Sequence, residues 1–320
     1  MGIVIATTTT KDGDALSAKT VTAELDFQTE IKNFVSGFTY VHLSYDKSDS
    51  HDVGEIGISL DPQTPSSGSS SGTVNVSCLL SSGDNTIALD HSYYQISGIG
   101  VTSTDNSSHP PLATATANGD TTLVTTRGLG TDANGIAISD FDFSYSGAHH
   151  EFAKLYATSS SSISSNGSNL IGTASGYLKD NDGDTTSSNP ITLLGFSIEN
   201  TVDASQNYTD DVIYLTASGK YVNNAAHTKH ITVPSGYVLD SAIALVTGFN
   251  IQFGSGDDLS DHQITCVVLG AYEVAVVPEA SQITFDSYCH ASKKTGINKS
   301  SNSDESYVEL LFVCKAVRSG

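Results

Sequence analysis

VSGFTYVHLSY, residues 35–45, alternates along its length: Phe38, Tyr40, His42 and Ser44 fall on one side, and Thr39, Val41, Leu43 and Tyr45 on the other. A period of two, interrupted by Gly, Ser, Asn and Asp, is the mark of a β-strand rather than a helix. The same pattern returns as ISDFDFSY at 138–145 and as VTGFNIQF at 246–253. Aligning the rings matches Phe38 with Phe141 and Phe249, spaced by 103 and 108 residues.

Working outward, each copy continues through a polar loop into a segment that begins with histidine. These are SHDVGEIGISL (50–60), HHEFAKLY (149–156) and DHQITCVVL (261–269), so His51, His150 and His262 recur in step. Upstream lie IVIAT (3–7), LATAT (112–116) and VIYLT (212–216), then TVTAEL (20–25), TLVTT (122–126) and HITVPSG (230–236). Downstream lie GTVNVSCLL (72–80), NLIGTASGY (169–177) and QITFDSY (282–288). Last come SYYQISGIGV (92–101), ITLLGFSI (191–198) and SYVELLFV (306–313). Six elements in one order, three times, exceed the 20–50 residues of a solenoid unit and are long enough for each copy to close its own core. The expectation is an all-β chain of three tandem antiparallel β-sandwich repeats, jelly-roll or Ig-like, of about 105 residues each. Their bounds are 1–105, 106–206 and 207–320, with cuts in the polar stretches DNSSHPP (105–111) and VDASQNYTD (202–210). The Ser/Gly runs at 65–72 and 159–168, and KKTGINKSSNSD at 293–304, read as mobile surface loops.

Composition narrows the function. Lys and Arg total 14 against 35 Asp and Glu in 320 residues, a formal charge of −21. A broad nucleic-acid or anionic-lipid surface needs clustered cations, so neither is expected. The start of the chain lacks a basic region followed by an apolar core, so no signal peptide is read there, and no apolar run is long enough for a transmembrane helix. Cys78, Cys266, Cys289 and Cys314 form no CxxC pair and read as small core residues, with a disulfide among the last three left open. Sequons at Asn75, Asn106, Asn166, Asn207 and Asn298 are expected by chance in a chain this rich in Ser and Thr.

Motifs for chemistry are sparse. GSSSG at 68–72 matches G-x-S-x-G, but the nucleophile elbow needs a strand-to-helix turn in an α/β sheet. His51, His150 and His262 read as structural: a ring at the start of a strand, hydrogen-bonded to a loop carbonyl. A metal centre would require three or four convergent ligands. Asp180, Asp182 and Asp184, in DNDGD, form the candidate Ca²⁺ loop, although the EF-hand order is absent. No other cofactor is expected. Tyr93 and Tyr94 are adjacent on one strand, so one must point away from the core, and Tyr177, Tyr208, Tyr221 and Tyr237 lie in or beside loops.

These readings give no foothold for an enzyme. They suit a non-enzymatic structural subunit of a particle or filament, such as a virion, phage appendage or extracellular assembly. Its partners would be copies of itself or other subunits of one assembly. The uncharged opening IVIATTTT (3–10) is suited to pairing at an edge. The alternative is a lectin-like or adhesin-like module that recognises glycans through its variable loops.

Overall fold

The computed structural model describes residues 2–8, 20–45, 51–82, 85–86, 92–105, 111–117, 119–123, 133–145, 150–164, 169–186, 189–222, 225–253, 263–292 and 306–320. Among them, β-strands dominate and no α-helix is present. The first stretch contributes β1 (Ile3–Thr7), β2 (Thr20–Asp26), β3 (Ile31–Ser44), β4 (Glu55–Pro62), β5 (Ser71–Ser82), the short β6 (Asn85–Thr86) and β7 (Tyr93–Thr102). The second contributes β8 (Leu112–Ala117), β9 (Gly119–Leu123), β10 (Ala133–Ser144), β11 (Phe152–Ile163), β12 (Leu170–Asp180) and β13 (Ile191–Ile198). The third contributes β14 (Val212–Val222), β15 (Ala225–His230), β16 (Tyr237–Gln252), β17 (Cys266–Val277), β18 (Gln282–Ser292) and β19 (Tyr307–Arg318). Alternation decides the faces: along β5, Val74, Val76, Cys78 and Leu80 are buried while Thr73, Asn75, Ser77 and Leu79 are more exposed.

The strands form three antiparallel sheets, ordered β1-β7-β3-β17-β18-β15, β2-β5-β4-β10-β13-β8 and β14-β19-β16-β11-β12-β9. Along each order, three strands come from one stretch and three from another, and β6 pairs beside β5 as a seventh strand of the second sheet. The expectation that each copy closes a core of its own therefore gives way to sheets shared across the chain. The principal apolar cluster likewise contains residues of all three stretches, among them Val41, Phe141 and Phe249. The physical reason is edge satisfaction. An isolated copy would leave unpaired the edges of β3 and β4, of β10 and β11, and of β16 and β17. Pairing β3 with β17, β10 with β4 and β16 with β11 closes those six edges.

The three seams use the same register: Ser44 faces Cys266, Ser144 faces Glu55, and Gln252 faces Lys154. Just beyond, the backbone N–H groups of Tyr45, Tyr145 and Phe253 donate to the carbonyls of Thr265, Gly54 and Ala153, at 2.8, 2.9 and 3.3 Å. The pattern is cyclic, each stretch bonding to the next.

A bulge recurs in β3, β10 and β16, where the register slips between Phe38 and Tyr40, Ile138 and Asp140, and Val246 and Gly248. An extra residue at Thr39 rotates the preceding part of β3, so Phe38 lies in the core with Val41 and Leu43, not on the opposite side with Tyr40 and His42. It also corrects the ring alignment. Val41, Phe141 and Phe249 hold the same register position, opposite Leu269, Ile58 and Ala157, whereas Phe38 corresponds to Ile138 and Val246. The rings still meet, with Phe38 to Phe141 at 5.8 Å and Phe141 to Phe249 at 5.2 Å between centroids.

The bulge hydroxyls tie neighbouring stretches together. Thr39 Oγ1 donates to the Ala244 carbonyl at 2.7 Å, and Ser139 Oγ to the Ser36 carbonyl at 2.9 Å. A second apolar cluster gathers Val35, Ala137 and Leu245, which precede the recurring bulge in β3, β10 and β16, with Ile99, Leu194, Phe196 and Leu311 of β7, β13 and β19. Tyr214 Oη donates to the Ile3 carbonyl beside it. No helix among the described residues is long and apolar enough to cross a membrane.

The described parts of the two Ser/Gly runs are paired, and residues 165–168 lie outside the described residues. Ser159–Ile163 continues β11 and pairs with Leu170–Ala174. Ser70 and Ser69 accept backbone bonds from Phe27 and Ile31, both at 2.9 Å. Residues 293–304 lie outside the described residues.

Candidate functional site

The histidine corners lie at the seams. His51 and Ile264 exchange backbone hydrogen bonds at 3.0 and 2.9 Å, and Val53 N–H donates to the His150 carbonyl at 2.7 Å. Their rings rest on the tyrosines that directly follow β3 and β10. His51 meets Tyr45 edge-on at 4.9 Å, and His150 stacks on Tyr145 at 3.7 Å. Instead of a loop carbonyl, His150 Nδ1 finds the Asp180 carboxylate at 2.6 Å. His262 lies outside the described residues.

That pairing bears on the calcium loop. Asp180 is buried, and its other oxygen accepts the Asp184 N–H at 2.7 Å. Gly183, at φ +99°, lets the chain fold back so that Asp180 N–H reaches the Asp184 carbonyl at 3.0 Å. Asp182 and Asp184 remain exposed. Asp180 and Asp184 thus close a tight turn, and no group of three His, Cys, Asp or Glu able to hold a metal ion occurs among the described residues. All four cysteines are free, and burial pushes the thiols of Cys78, Cys289 and Cys314 up to about 12.

The most distinctive surface is one that sequence reasoning missed. On the first sheet, the side chains opposite the core side of β3, β7, β17 and β18 form rows. Tyr93, His42, Val268 and His290 make one row, followed by Gln95, Tyr40, Gly270 and Tyr288, and then Tyr272 with Asp286. Tyr40 is the hub: its ring lies 5.9 Å from Tyr93, 5.2 Å from Tyr272 and 5.5 Å from Tyr288. His42 packs on Tyr93 at 4.5 Å. These rings belong to neither apolar cluster. Tyr40 itself is 5% exposed, while Tyr93, Tyr272, Tyr288, His42 and His290 are half-buried. Of the adjacent pair Tyr93 and Tyr94, Tyr94 enters the core and Tyr93 joins this face.

Local backbone shapes the face. Gly270, at φ +118°, sits between Tyr40 and Tyr288, where a Cβ would lie 2.1 Å from the Thr39 carbonyl oxygen. The absence of a side chain there lets the backbones of β17 and β3 approach closely. Directly after Tyr272, β17 bulges, with Glu273 held at φ +53°, a conformation that a residue with a Cβ rarely adopts. Next to the bulge lies a hollow of about 240 Å³, bordered by Glu273, Asp286, His227, Thr228 and Phe285. Burial raises the Tyr40 hydroxyl well above its ordinary range, with Tyr93 adding to the shift, and lowers His290 to about 4. Lys and Arg are missing from these rows, so near neutral pH His290 adds no cation to them.

The register-equivalent rows on the other sheets differ in chemistry. On the third sheet Tyr307, Asn250, Tyr156 and Tyr177 align, with Lys154 Nζ 5.4 Å from the Tyr156 ring and Lys220 Nζ 3.3 Å from that of Tyr307. On the second, Asp142, Gly57 and Leu79 align, with Asp140 opposite Thr192 one step on. Burial holds both carboxyls above the usual range, and for Asp142 the charges of Glu55 and Asp140 add to it.

No protein-family model matches the chain, and no curated protein matches its sequence.

Proposed function

We propose that the chain is a non-enzymatic structural subunit of a particle or filament, such as a virion, a phage appendage or an extracellular assembly. The observation that carries this reading is the cyclic set of seams. Tyr45, Tyr145 and Phe253 bond to Thr265, Gly54 and Ala153 in one repeating pattern. On this reading the three stretches are equivalent small sandwiches joined edge to edge into a ring, a body with threefold character suited to sit on a symmetry axis. The outermost strand β1 supports it. Its sequence IVIAT carries no charge, Pro or Lys, the devices by which monomers blunt an edge. With a net charge of −21, contacts between copies should strengthen as salt or divalent cation screens the repulsion.

Light scattering of the full chain at 50 mM and 500 mM salt, with and without Ca²⁺, tests this, with negative-stain imaging of the same samples. Ordered oligomers that grow with ionic strength are expected. A discrete monomer under all four conditions overturns the reading.

A further inference from the structure

We infer that the far end of β11, Ser159–Ile163, is a docking edge at which two copies of the chain pair their sheets about a two-fold axis. β11 bonds to β12 along its whole length, but to β16 only from Lys154 to Thr158. Beyond Thr158 the two strands of the seam part, and among the described residues no strand pairs with the other edge of Ser159–Ile163. An edge of this kind presents backbone N–H and C=O groups to any strand laid beside it. Ser160, Ser161, Ser162 and Ile163 are exposed. Ile163, at 46%, and Val222 are the two large apolar side chains left in the open among the described residues.

The other two seams provide an internal contrast. Each also leaves a strand end that runs on past the seam, Ser59–Pro62 of β4 and Ala271–Val277 of β17. The first carries the charge of Asp61 and ends on Pro62, which has no N–H. The second is bulged after Tyr272, carries the charge of Glu273 and runs into Pro278. Charge, proline and bulges are the devices that keep an edge from pairing, and the SSSSI of β11 has none of them. The occupant follows from charge and symmetry. The net charge is −21, yet neither this edge nor the hollow of about 340 Å³ at its base, bordered by Asn134, Ser159, Ser161, Thr216, Ser218 and Leu311, presents a carboxylate to an approaching copy. An antiparallel edge is its own complement under a two-fold axis. Centred on Ser161, the pairing sets Ser159 of each copy opposite Ile163 of the other, which brings the exposed isoleucine to the mouth of the hollow that Ser159 borders. This contact rests on the assembly reading above and names one surface through which copies would meet.

Two-fold pairing places the two Ser161 Cα atoms about 4.5–5.5 Å apart, within the span of a disulfide. The full-length Ser161→Cys chain, treated with oxidised glutathione, should therefore cross-link into a covalent dimer, whereas Ser59→Cys on the blunted end of β4 should not. Ser160 and Ser162 face each other across the same axis, so a Ser160→Lys, Ser162→Lys chain sets two like-charge pairs in the contact. Its dissociation constant, read by light scattering over a dilution series at 150 mM salt, should rise about tenfold. The Ser160→Glu, Ser162→Glu chain should do the same, and an equimolar mixture of the two should pair again, a recovery that damage to the fold would not give. Circular dichroism and melting of every variant check that the fold is kept. Oligomers whose mass is unchanged in the lysine variant, or a Ser161→Cys chain that stays monomeric on oxidation, overturn the docking edge and leave the assembly reading standing. Folded variants that do not pair again when mixed overturn the two-fold geometry. A full-length chain that is monomeric in every condition overturns both proposals together.

Discussion

Replacing Gly270 by alanine tests the seam between the first and third stretches at its tightest point. The new Cβ would lie 2.1 Å from the Thr39 carbonyl oxygen and 2.6 Å from the Tyr40 Cα, both backbone atoms. Restoring an ordinary carbon–oxygen contact requires β3 and β17 to part by about 1 Å, against an inter-strand spacing that hydrogen bonds hold near 4.8 Å. Parting them weakens about two backbone hydrogen bonds, at about 1 kcal/mol each. Holding alanine at φ +118° adds about 1–3 kcal/mol. The expected loss is therefore about 3–5 kcal/mol. The corresponding residues of the other seams, Ser59 and Thr158, already carry a Cβ, so Ser59→Ala and Thr158→Ala should each cost less than about 1 kcal/mol. Urea titration followed by far-UV circular dichroism and tyrosine fluorescence gives all three values. If Gly270→Ala costs no more than its two counterparts, the seam is not the rigid ladder described, and the reasoning fails.

Three further outcomes follow from the same geometry. Phe141 is fully buried, with Phe38, Phe143 and Phe249 at 5.8, 5.2 and 5.2 Å, so Phe141→Ala should cost about 3–5 kcal/mol in the same titration, and a loss below about 1 kcal/mol would contradict the convergence of the rings. Asp140 and Asp142 keep their protons to higher pH when folded than when unfolded, so their contribution is greatest below the unfolded carboxylate range and is lost as pH rises through the raised folded values. Asp142→Asn should accordingly stabilise the chain at pH 7 and flatten the decline of its urea midpoint between pH 4 and pH 7, and an unchanged slope would refute the assignment. Cys78, Cys289 and Cys314, buried with thiols raised to about 12, should resist an aromatic disulfide reagent at pH 8 until urea unfolds the chain, and prompt labelling of more than the half-buried Cys266 would show those cores to be open.

The order of strands was legible because alternation is a local property. Segments such as GTVNVSCLL and ITLLGFSI are strands wherever they pack, and they became β5 and β13. HITVPSG at 230–236 misled: Pro234 and Gly236, at φ +86°, end the run, and the strand is the preceding Ala225–His230, an edge whose polar composition gives little signal. Partnership across sheets was not legible. The seams are made by backbone groups, and a backbone edge looks the same in sequence whether it meets its own copy or the next. The bulge left a trace, a hydroxyl at Thr39, Ser139 and Thr247, that ring matching overlooked, and Phe38 was displaced by three positions as a result. The aromatic face escaped for the same reason as the seams. Tyr40, Tyr93, Tyr272 and Tyr288 come from strands far apart in the chain, and only the register of β3 against β7 and β17 brings them together. Of the tyrosines that adjacency or loops set apart in the sequence, only Tyr93 lies on it, beside Tyr40 and His42, whose shared side the alternation did show.

The cyclic seams also bear on how such a body can vary. Had the seams been made by three identical chains, every substitution would appear three times, and a change useful on one flank would be imposed on the other two. Here one polypeptide runs through all three parts. His42, Asp142 and Asn250 occupy one geometric position yet differ in chemistry. A residue that weakens one seam can be balanced at another, and a surface can acquire a charge or a ring once. Continuity of the chain thus frees each stretch to mutate by itself while the backbone pattern of the seams stays common to all.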